Sequence, residues 1–474
     1  MAKQENIPKL EPAIIVIFGI TGDLAQKKLL PALYHLLKNE LLDEHTEIIG
    51  ITRRAVTAKE LLDNVELCVN EQGGICDPVA LERMHKQVTM HQLDLTQGKD
   101  YDMLKEHLDA IETRHGVCMN RLYYLSIPPQ VVGPIVRLLG THGLNASCQH
   151  GAAATRLLIE KPFGFDLTSA KELIGETARY FGEEQIFRID HYVAKETVQN
   201  ILTFRFTNPI FSSIWNAEHI SRITILAKEK IDIEGRVTFY EEIGALRDFI
   251  QSHLLQLLAI LTMHQPVKPT AEALHTSKIE LMQAIKPITA SAVDENTVRG
   301  QYKGYREAVK NKNSLTETFA AIKTVIDNDR WRDVPVVLYT GKALDEKLTE
   351  LRVEFKPQTA QETANTLCFR IQPNEGISLE LQAKQPGFEY ETQQVSMDFD
   401  YQQTFNDNGH PDAYERVLVD AVRGDHTLFA TSEEVLAAWH VVEGTIQRWA
   451  KNDENLQIYS TGSTGPESIQ QLLA

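Results

Sequence analysis

The chain has no Cys-x-x-Cys pair, no repeat at a fixed period, no low-complexity tract and no apolar run of membrane-spanning length. Its five cysteines (Cys68, Cys76, Cys118, Cys148, Cys368) are odd in number and scattered. That argues against a disulfide framework or a zinc site and fits a reducing compartment. The N-terminal "MAKQENIPKLEP" carries no apolar signal core. With no spanning run either, the expectation is a soluble, cytoplasmic protein with no membrane partner. Basic residues are also in short supply, leaving a formal charge of −17. A polyanion-binding protein needs a net basic face, so nucleic acid is not an expected partner. If a small anion binds, a few lysines must be concentrated in one pocket to hold it.

What is present reads as two domains, the default for 474 residues because single hydrophobic cores stop growing well below that length. "AIIVIFGITGDLAQKKLLPALYHLL" is a short continuous apolar run, a glycine turn and a helix-spaced segment with Leu24, Leu29, Leu33 and Leu36. "TEIIGIT", "RLYYLSIPP" and "RLLIEKP" read as further buried strands with helical segments between them. Alternating strands and helices imply a parallel sheet with right-handed crossovers, a Rossmann-like α/β domain over residues 1–187. From 188 to 474 the pattern changes. "TLCFRIQPNEGISLELQAK" alternates apolar and polar residues on both sides of "QPNEG", the signature of an antiparallel pair with one buried face. "RITILAKEK", "PVVLYT" and "LRVEFK" add strands, and "EEIGALRDFIQSHLLQLLAILTM" reads as one long helix. The second domain is therefore expected to be α+β, with a large, mostly antiparallel sheet.

Gly19-x-x-Gly22-Asp23-Leu24 lies between a buried strand and a helix. Glycines there let the backbone approach a pyrophosphate, which the helix N-terminus then favours. The spacing is not GxGxxG, so a tight turn without a ligand explains the pattern as well. The next strand ends in "GITRRAV". An acid at that place would suit the 2′-hydroxyl of NAD, whereas Arg53 and Arg54 suit the 2′-phosphate of NADP. Together the two features favour NADP, with NAD left open as a second acceptor.

In "RIDHYVAKE" (188–196), a helix starting at His191 would have Asp190 as its N-cap, with His191 and Lys195 four apart on one face. Helix dipole, Tyr192 and the two basic side chains would then form a phosphate cradle, although a solvated helix start has the same composition. His253 falls on the apolar face of its helix with Phe249, Ile250 and Leu257. A core histidine is the plain reading. A half-buried His beside a carboxylate is also what hydride abstraction from an alcohol requires, because the hydroxyl proton must leave with the hydride.

These motifs, with "IEKPFG", "VRGQYKGYRE", "TETFAA", "VPVVLYTGKAL", "IQPNEG" and "DAYERVLVDAVRGDHTLF", resemble the glucose-6-phosphate dehydrogenase family, in that family's order, from residue 14 to about 466. The resemblance implies oxidation of glucose 6-phosphate at C1 to 6-phosphoglucono-1,5-lactone with hydride transfer to NADP, the first step of the oxidative pentose phosphate pathway, without a metal. It implies His253 as general base and Asp190 as the carboxylate that orients it. His191, Tyr192 and Lys195 are then the phosphate ligands. Lys161 touches both substrate and cofactor, Pro162 is the interdomain hinge, and Lys28 reaches toward the same place. Glu234, Glu241, Lys342 and Lys347 are implied as further sugar contacts. Gly19, Thr21, Gly22, Asp23, Leu24 and Arg53, with Lys161, are implied cofactor contacts. The family's dimers form through the second sheet, which implies a homodimer or homotetramer.

The chain departs from the family's pattern at Glu241, read as standing for a substrate-contacting aspartate, at Ser252 before the base, at Val193-Ala194 after "DHY", and at "STGSTGP". Of these, Glu241, Ser252 and Ala194 are the support for a second reading, a catalytically weak paralogue that binds NADP or sugar phosphate in a regulatory role.

Overall fold

The computed structural model describes residues 8–71, 76–146, 153–357, 363–405 and 411–474. Cys148 and the side chain of Cys68 lie outside the described residues. The chain forms two compact units: Met1–Gly164 with Lys171–Ala194 and Pro411–Ser432, and Phe165–Ala170 with Lys195–His410 and Glu433–Ala474.

The first unit is built on strands β1 (Ala13–Phe18), β2 (Glu47–Thr52), β3 (Val88–Gln92), β4 (Asn120–Leu125), β5 (Thr155–Glu160) and β6 (Ile186–Ile189). They pair in parallel in the order β3-β2-β1-β4-β5-β6. Every residue of β1 and β4 is buried, which is why their sequences are continuous apolar runs rather than alternating ones. The order reverses between β1 and β4, the place where open α/β sheets bind ligands beyond their strand ends. Gly19, Ser126, Lys161 and Asp190 follow directly after β1, β4, β5 and β6. The apolar runs of the sequence mark β1, β2, β4 and β5. β3 and β6 are not legible in it, being short and, in β3, mostly polar after Val88.

The second unit holds β7 (Ile220–Lys228), β8 (Thr297–Tyr302), β9 (Phe319–Val325), β10 (Pro335–Gly341), β11 (Leu348–Phe355), β12 (Thr366–Gln372), β13 (Gly376–Lys384) and β14 (Thr392–Asp400). Two late strands follow. β15 (Phe429–Ala430) pairs antiparallel with β6 in the first unit's sheet, and β16 (Leu456–Tyr459) pairs with β8. The second sheet runs β14-β13-β12-β11-β7-β10-β9-β8-β16 and is antiparallel except at β7–β10 and β8–β16. β12 and β13 form the antiparallel pair expected from "QPNEG".

Three details correct the sequence reading. The long helix over 241–263 is broken into Val237–Ala245, a π-helix Leu246–Leu254 and Leu255–Thr262. Gly244 makes the break, at φ 67°, a conformation that costs a residue with a Cβ but not glycine. The helix after Asp190 begins at Glu196 with Lys195 as N-cap, not at His191. Lastly, Cys118 is disulfide-bonded. Spacing along the chain does not reveal which thiols approach in space, so the scattered cysteines misled there. Among the described residues no helix is long and apolar enough to cross a membrane.

Candidate functional site

The candidate residues fall into two groups, one in each unit. In the first, Gly19 turns the chain out of β1 at φ 78°, and Gly22 N–H donates to the Gly19 carbonyl at 2.8 Å. A Cβ on Gly19 would lie 2.2 Å from the Ser126 carbonyl oxygen. The turn therefore accepts only glycine, and its backbone stays open to a group at the start of the helical segment, Ala25–Leu29 followed by Leu30–Lys38. This is the cradle a dinucleotide pyrophosphate needs. Thr21 and Leu24 are half-buried, and Asp23 and Lys28 are exposed. Thr21 accepts from Gln26 Nε2 through its carbonyl, and Asp23 pairs with Lys27. Arg53 and Arg54 are exposed just past β2, where Gln92 Nε2 donates to the Arg53 carbonyl. Two cations with their side chains in solvent stand at this strand end, with the Asp94 carboxylate within reach of the Arg53 charge.

Lys161, half-buried, follows β5 and is joined to Pro162 by a cis peptide. Asp190 is buried. It does not cap a helix but closes a local turn. Its Oδ1 accepts the Tyr192 N–H at 2.9 Å and its carbonyl accepts from Val193 at 3.1 Å. That turn presents the His191 ring, which stands 5.0 Å from Tyr192 and is stacked on Tyr414 at 6.1 Å with the planes 13° apart. Tyr192 and Ala194 are buried.

In the second unit, Lys195 is the N-cap of its helix, with an extended backbone, so the spacing of four to His191 is not a helical spacing. Its Nζ donates to Gln372 Oε1 at 2.6 Å, and Gln372 Nε2 donates in turn to Thr349. His253 is fully buried on the π-helix, its ring edge-on to Phe249 at 5.4 Å. Five residues earlier on that helix is Asp248, whose carbonyl accepts the Ser252 hydroxyl at 2.7 Å. The i to i+5 bonding of a π-helix brings residues five apart onto one face, so Asp248 shares the His253 face as it would not in an α-helix.

Lys342 is buried, with its Nζ on the Glu229 carboxylate at 2.5 Å and 5.3 Å from the Tyr240 ring centre. Burial pushes the Tyr240 phenol well above its ordinary range, with further upward pressure from Asp248 and Glu229. Glu229, Asp248, Tyr240 and Lys342 thus share one neighbourhood.

Glu234, Lys347 and Glu241 are placed differently. Glu234 is exposed at φ 44° on the turn after Asp232, whose carboxylate accepts its N–H. Lys347 is exposed. The Glu241 carboxylate accepts from Tyr305 at 2.7 Å, Asn311 at 2.8 Å and Ser314 at 3.0 Å. It anchors the 305–314 segment with three of the roughly four positions at which a carboxylate accepts hydrogen bonds. The sequence reading had passed over Glu229, Asp248 and Gln372. The only available signal was their place within quoted motifs, "RITILAKEK", "LRDFIQSH" and "IQPNEG". Among the described residues no group of three or more His, Cys, Asp or Glu is arranged to hold a metal ion.

Two family models match the chain: "Glucose-6-phosphate dehydrogenase, NAD binding domain" over residues 16–200 and "Glucose-6-phosphate dehydrogenase, C-terminal domain" over 202–474. The glucose-6-phosphate 1-dehydrogenase of Chlamydia muridarum is 37% identical, over 99% of this chain and 96% of its own. A solved glucose-6-phosphate dehydrogenase in complex with its substrate glucose-6-phosphate superposes with a TM-score of 0.90 at 32% identity, over 98% of both chains. The enzyme from Mycobacterium avium does so with 0.83 at 34% identity, over 97% of both.

Proposed function

The chain belongs to the glucose-6-phosphate dehydrogenase family, and we propose that it oxidises C1 of glucose 6-phosphate to the 1,5-lactone with NADP as the hydride acceptor. The observation that carries the reading is the fully buried His253 on a π-turn shared with Asp248, whose charge reaches Tyr240 together with that of Glu229. The same chain carries a glycine turn fit for a dinucleotide.

In this reading His253 takes the C1 hydroxyl proton and Asp190 steadies the imidazolium that forms, as general-base catalysis of an alcohol requires. Lys195, His191 and Tyr192 bind the phosphate, and Gln372, already bonded to Lys195, completes that end. Glu229 and Asp248 accept hydrogen bonds from sugar hydroxyls beside Lys342. These are the roles the resemblance had assigned to Glu234 and Glu241, one of them exposed and the other committed to the 305–314 segment. Lys161 serves both ligands, and Arg53 meets the ribose phosphate. When bound, the oxidised nicotinamide supplies the acceptor for hydride. Assembly as a homodimer through the second sheet belongs to the same reading. It is supported by Val395 and Met397, exposed on the edge strand β14, with exposed Phe388 and Tyr390 just before it, since grouped exposed apolar side chains ordinarily mark an interface.

The direct test is the absorbance of reduced nicotinamide with glucose 6-phosphate and either NADP or NAD. Turnover is expected with both components present, and faster with NADP. No reduced cofactor at high enzyme concentration would leave the regulatory reading standing instead. Equal turnover of unphosphorylated glucose would remove the phosphate ligands from the assignment.

A further inference from the structure

Glu160 is a carboxyl that the reading above does not use, and it sits among groups that the reading does use. It ends β5, directly before Lys161, and pairs across the sheet with Ile189, the residue before Asp190. The Tyr124 hydroxyl, on fully buried β4, donates to Glu160 Oε1 at 2.5 Å. The groups facing it are Tyr124 from β4, Lys161 beside it in the chain, Asp190 after β6, and Tyr414 from helix Ala413–Arg423. Tyr414 in turn lies flat against His191. One carboxyl therefore touches the surroundings of the base's partner, of the shared lysine and of a phosphate ligand, all within the first unit.

A purely structural role explains this poorly. A neutral glutamine would accept the Tyr124 bond as well, and an apolar residue would fill the space more cheaply than an acid facing Asp190. Burial pushes the Glu160 carboxyl up to about 7, against the downward pull of Tyr124 and Lys161, and the nearby Asp190 adds to the rise. A carboxyl so placed changes charge near neutral pH, and the Tyr124 bond favours the ionised form.

We propose that Glu160 is a positioning residue that must be ionised for turnover: its carboxylate, held by Tyr124, fixes Lys161 against both ligands. The inference rests on the proposed dehydrogenase reading. It predicts that two protons, one from Glu160 and one from His253, depress kcat/KM on the acid side. A site governed by the base alone shows one.

The experiment is the pH profile of kcat/KM for glucose 6-phosphate, from about pH 5 to about pH 9, for the full-length enzyme and three variants. The wild type is expected to lose activity toward acid with a limiting log–log slope approaching two. Glu160→Gln is expected to fall to a slope of one with a plateau lowered about tenfold or more, as for a lost positioning contact. Glu160→Asp keeps the charge and retains the two-proton limb. Tyr124→Phe removes the bond to the ionised form and moves the midpoint upward. A single-proton limb in the wild type, or an unchanged slope and plateau in Glu160→Gln, overturns the proposal. If Glu160→Gln does not fold, an unmoved midpoint in Tyr124→Phe overturns it equally. A wild type that reduces no NADP at any pH fails the dehydrogenase reading and takes this inference with it, an outcome distinct from an active enzyme with the wrong profile.

Discussion

At the scale of single residues, the proposed roles separate into binding and chemistry. Replacing His253 by Asn is expected to lower kcat by about 10²–10⁴-fold, the usual worth of a general base, while substrate binding persists. Lys195→Ala should instead raise the apparent KM, by about ten- to a hundredfold, for the loss of one charge-assisted contact worth ~1.5–3 kcal/mol. Steady-state kinetics with a direct binding measurement tells the two apart, and the opposite pattern means that base and phosphate ligand are exchanged. The acids give a sharper contrast. Glu229 is bonded to the buried Lys342 and Glu234 is exposed, so Glu229→Gln should impair kcat/KM strongly and Glu234→Gln leave it within about twofold. Comparable losses in both would return the sugar contact to Glu234. Arg53→Ala should weaken NADP far more than NAD in titrations of cofactor binding, and equal losses would remove the 2′-phosphate assignment.

At the scale of elements, function depends on two local departures from regular structure. The β1 turn is held by a glycine whose added Cβ would strike the Ser126 carbonyl. Gly19→Ala therefore forces β1 and β4 apart or closes the cradle, and should abolish cofactor binding while lowering the melting temperature by several degrees, as a cost of a few kcal/mol in a chain this size does. A variant that binds NADP normally would show that the turn has room the backbone geometry denies. The second departure is the π-turn over Leu246–Leu254. A helical wheel drawn for an α-helix puts Asp248 away from His253. The wider π-turn brings them onto one face, whereas the α-helical period points to Phe249 and Ile250 and not to the acid.

At the scale of the whole molecule, buried charges set how stability responds to pH. Glu434, fully buried, accepts from His275, Lys278 and Gln256, joining three helices of the second unit. Despite its burial, Lys278 and His275 hold its carboxyl below the ordinary range. A depressed carboxyl contributes stability that is present above its unfolded value near 4.5 and is lost as pH falls through the folded one. Removing the lysine, as in Lys278→Met, should cost up to about 3–5 kcal/mol, because the buried carboxylate keeps only His275 and Gln256, and chemical denaturation at neutral pH measures it. Glu160 works in the other direction. Raised from 4.5 to about 7, it favours the fold below its unfolded value, and that stability is lost as pH rises through 7. Glu160→Gln should therefore gain stability relative to wild type at pH 8 but not at pH 5, by an amount on the order of 3 kcal/mol at most. Thermal melts at the two pH values check this, and identical shifts at both would mean that the carboxyl does not titrate in between.

The linear sequence was enough for whatever depends on neighbours along the chain. Continuous apolar runs marked β1, β2, β4 and β5 because strands covered on both faces need them, and alternation marked the β12–β13 pair because one of its faces is polar. The places of the glycine turn after β1 and of Arg53 after β2 were readable because backbone freedom and a strand end are local properties, and Lys161, Asp190 and His191 stand in motifs long enough to match a family. Tertiary structure decided what depends on which chain segments meet. It brought residues 411–432 back to the first sheet, with Tyr414 against His191, and it set Glu229 on Lys342 while leaving Glu234 in solvent. It also turned Glu241 into an anchor for the 305–314 segment, set Asp248 and His253 on one π-helix, and brought Tyr124 onto Glu160. In each case the contact joins residues far apart in the chain or rests on a helix that departs from the ordinary period, and neither leaves a mark on local composition or spacing.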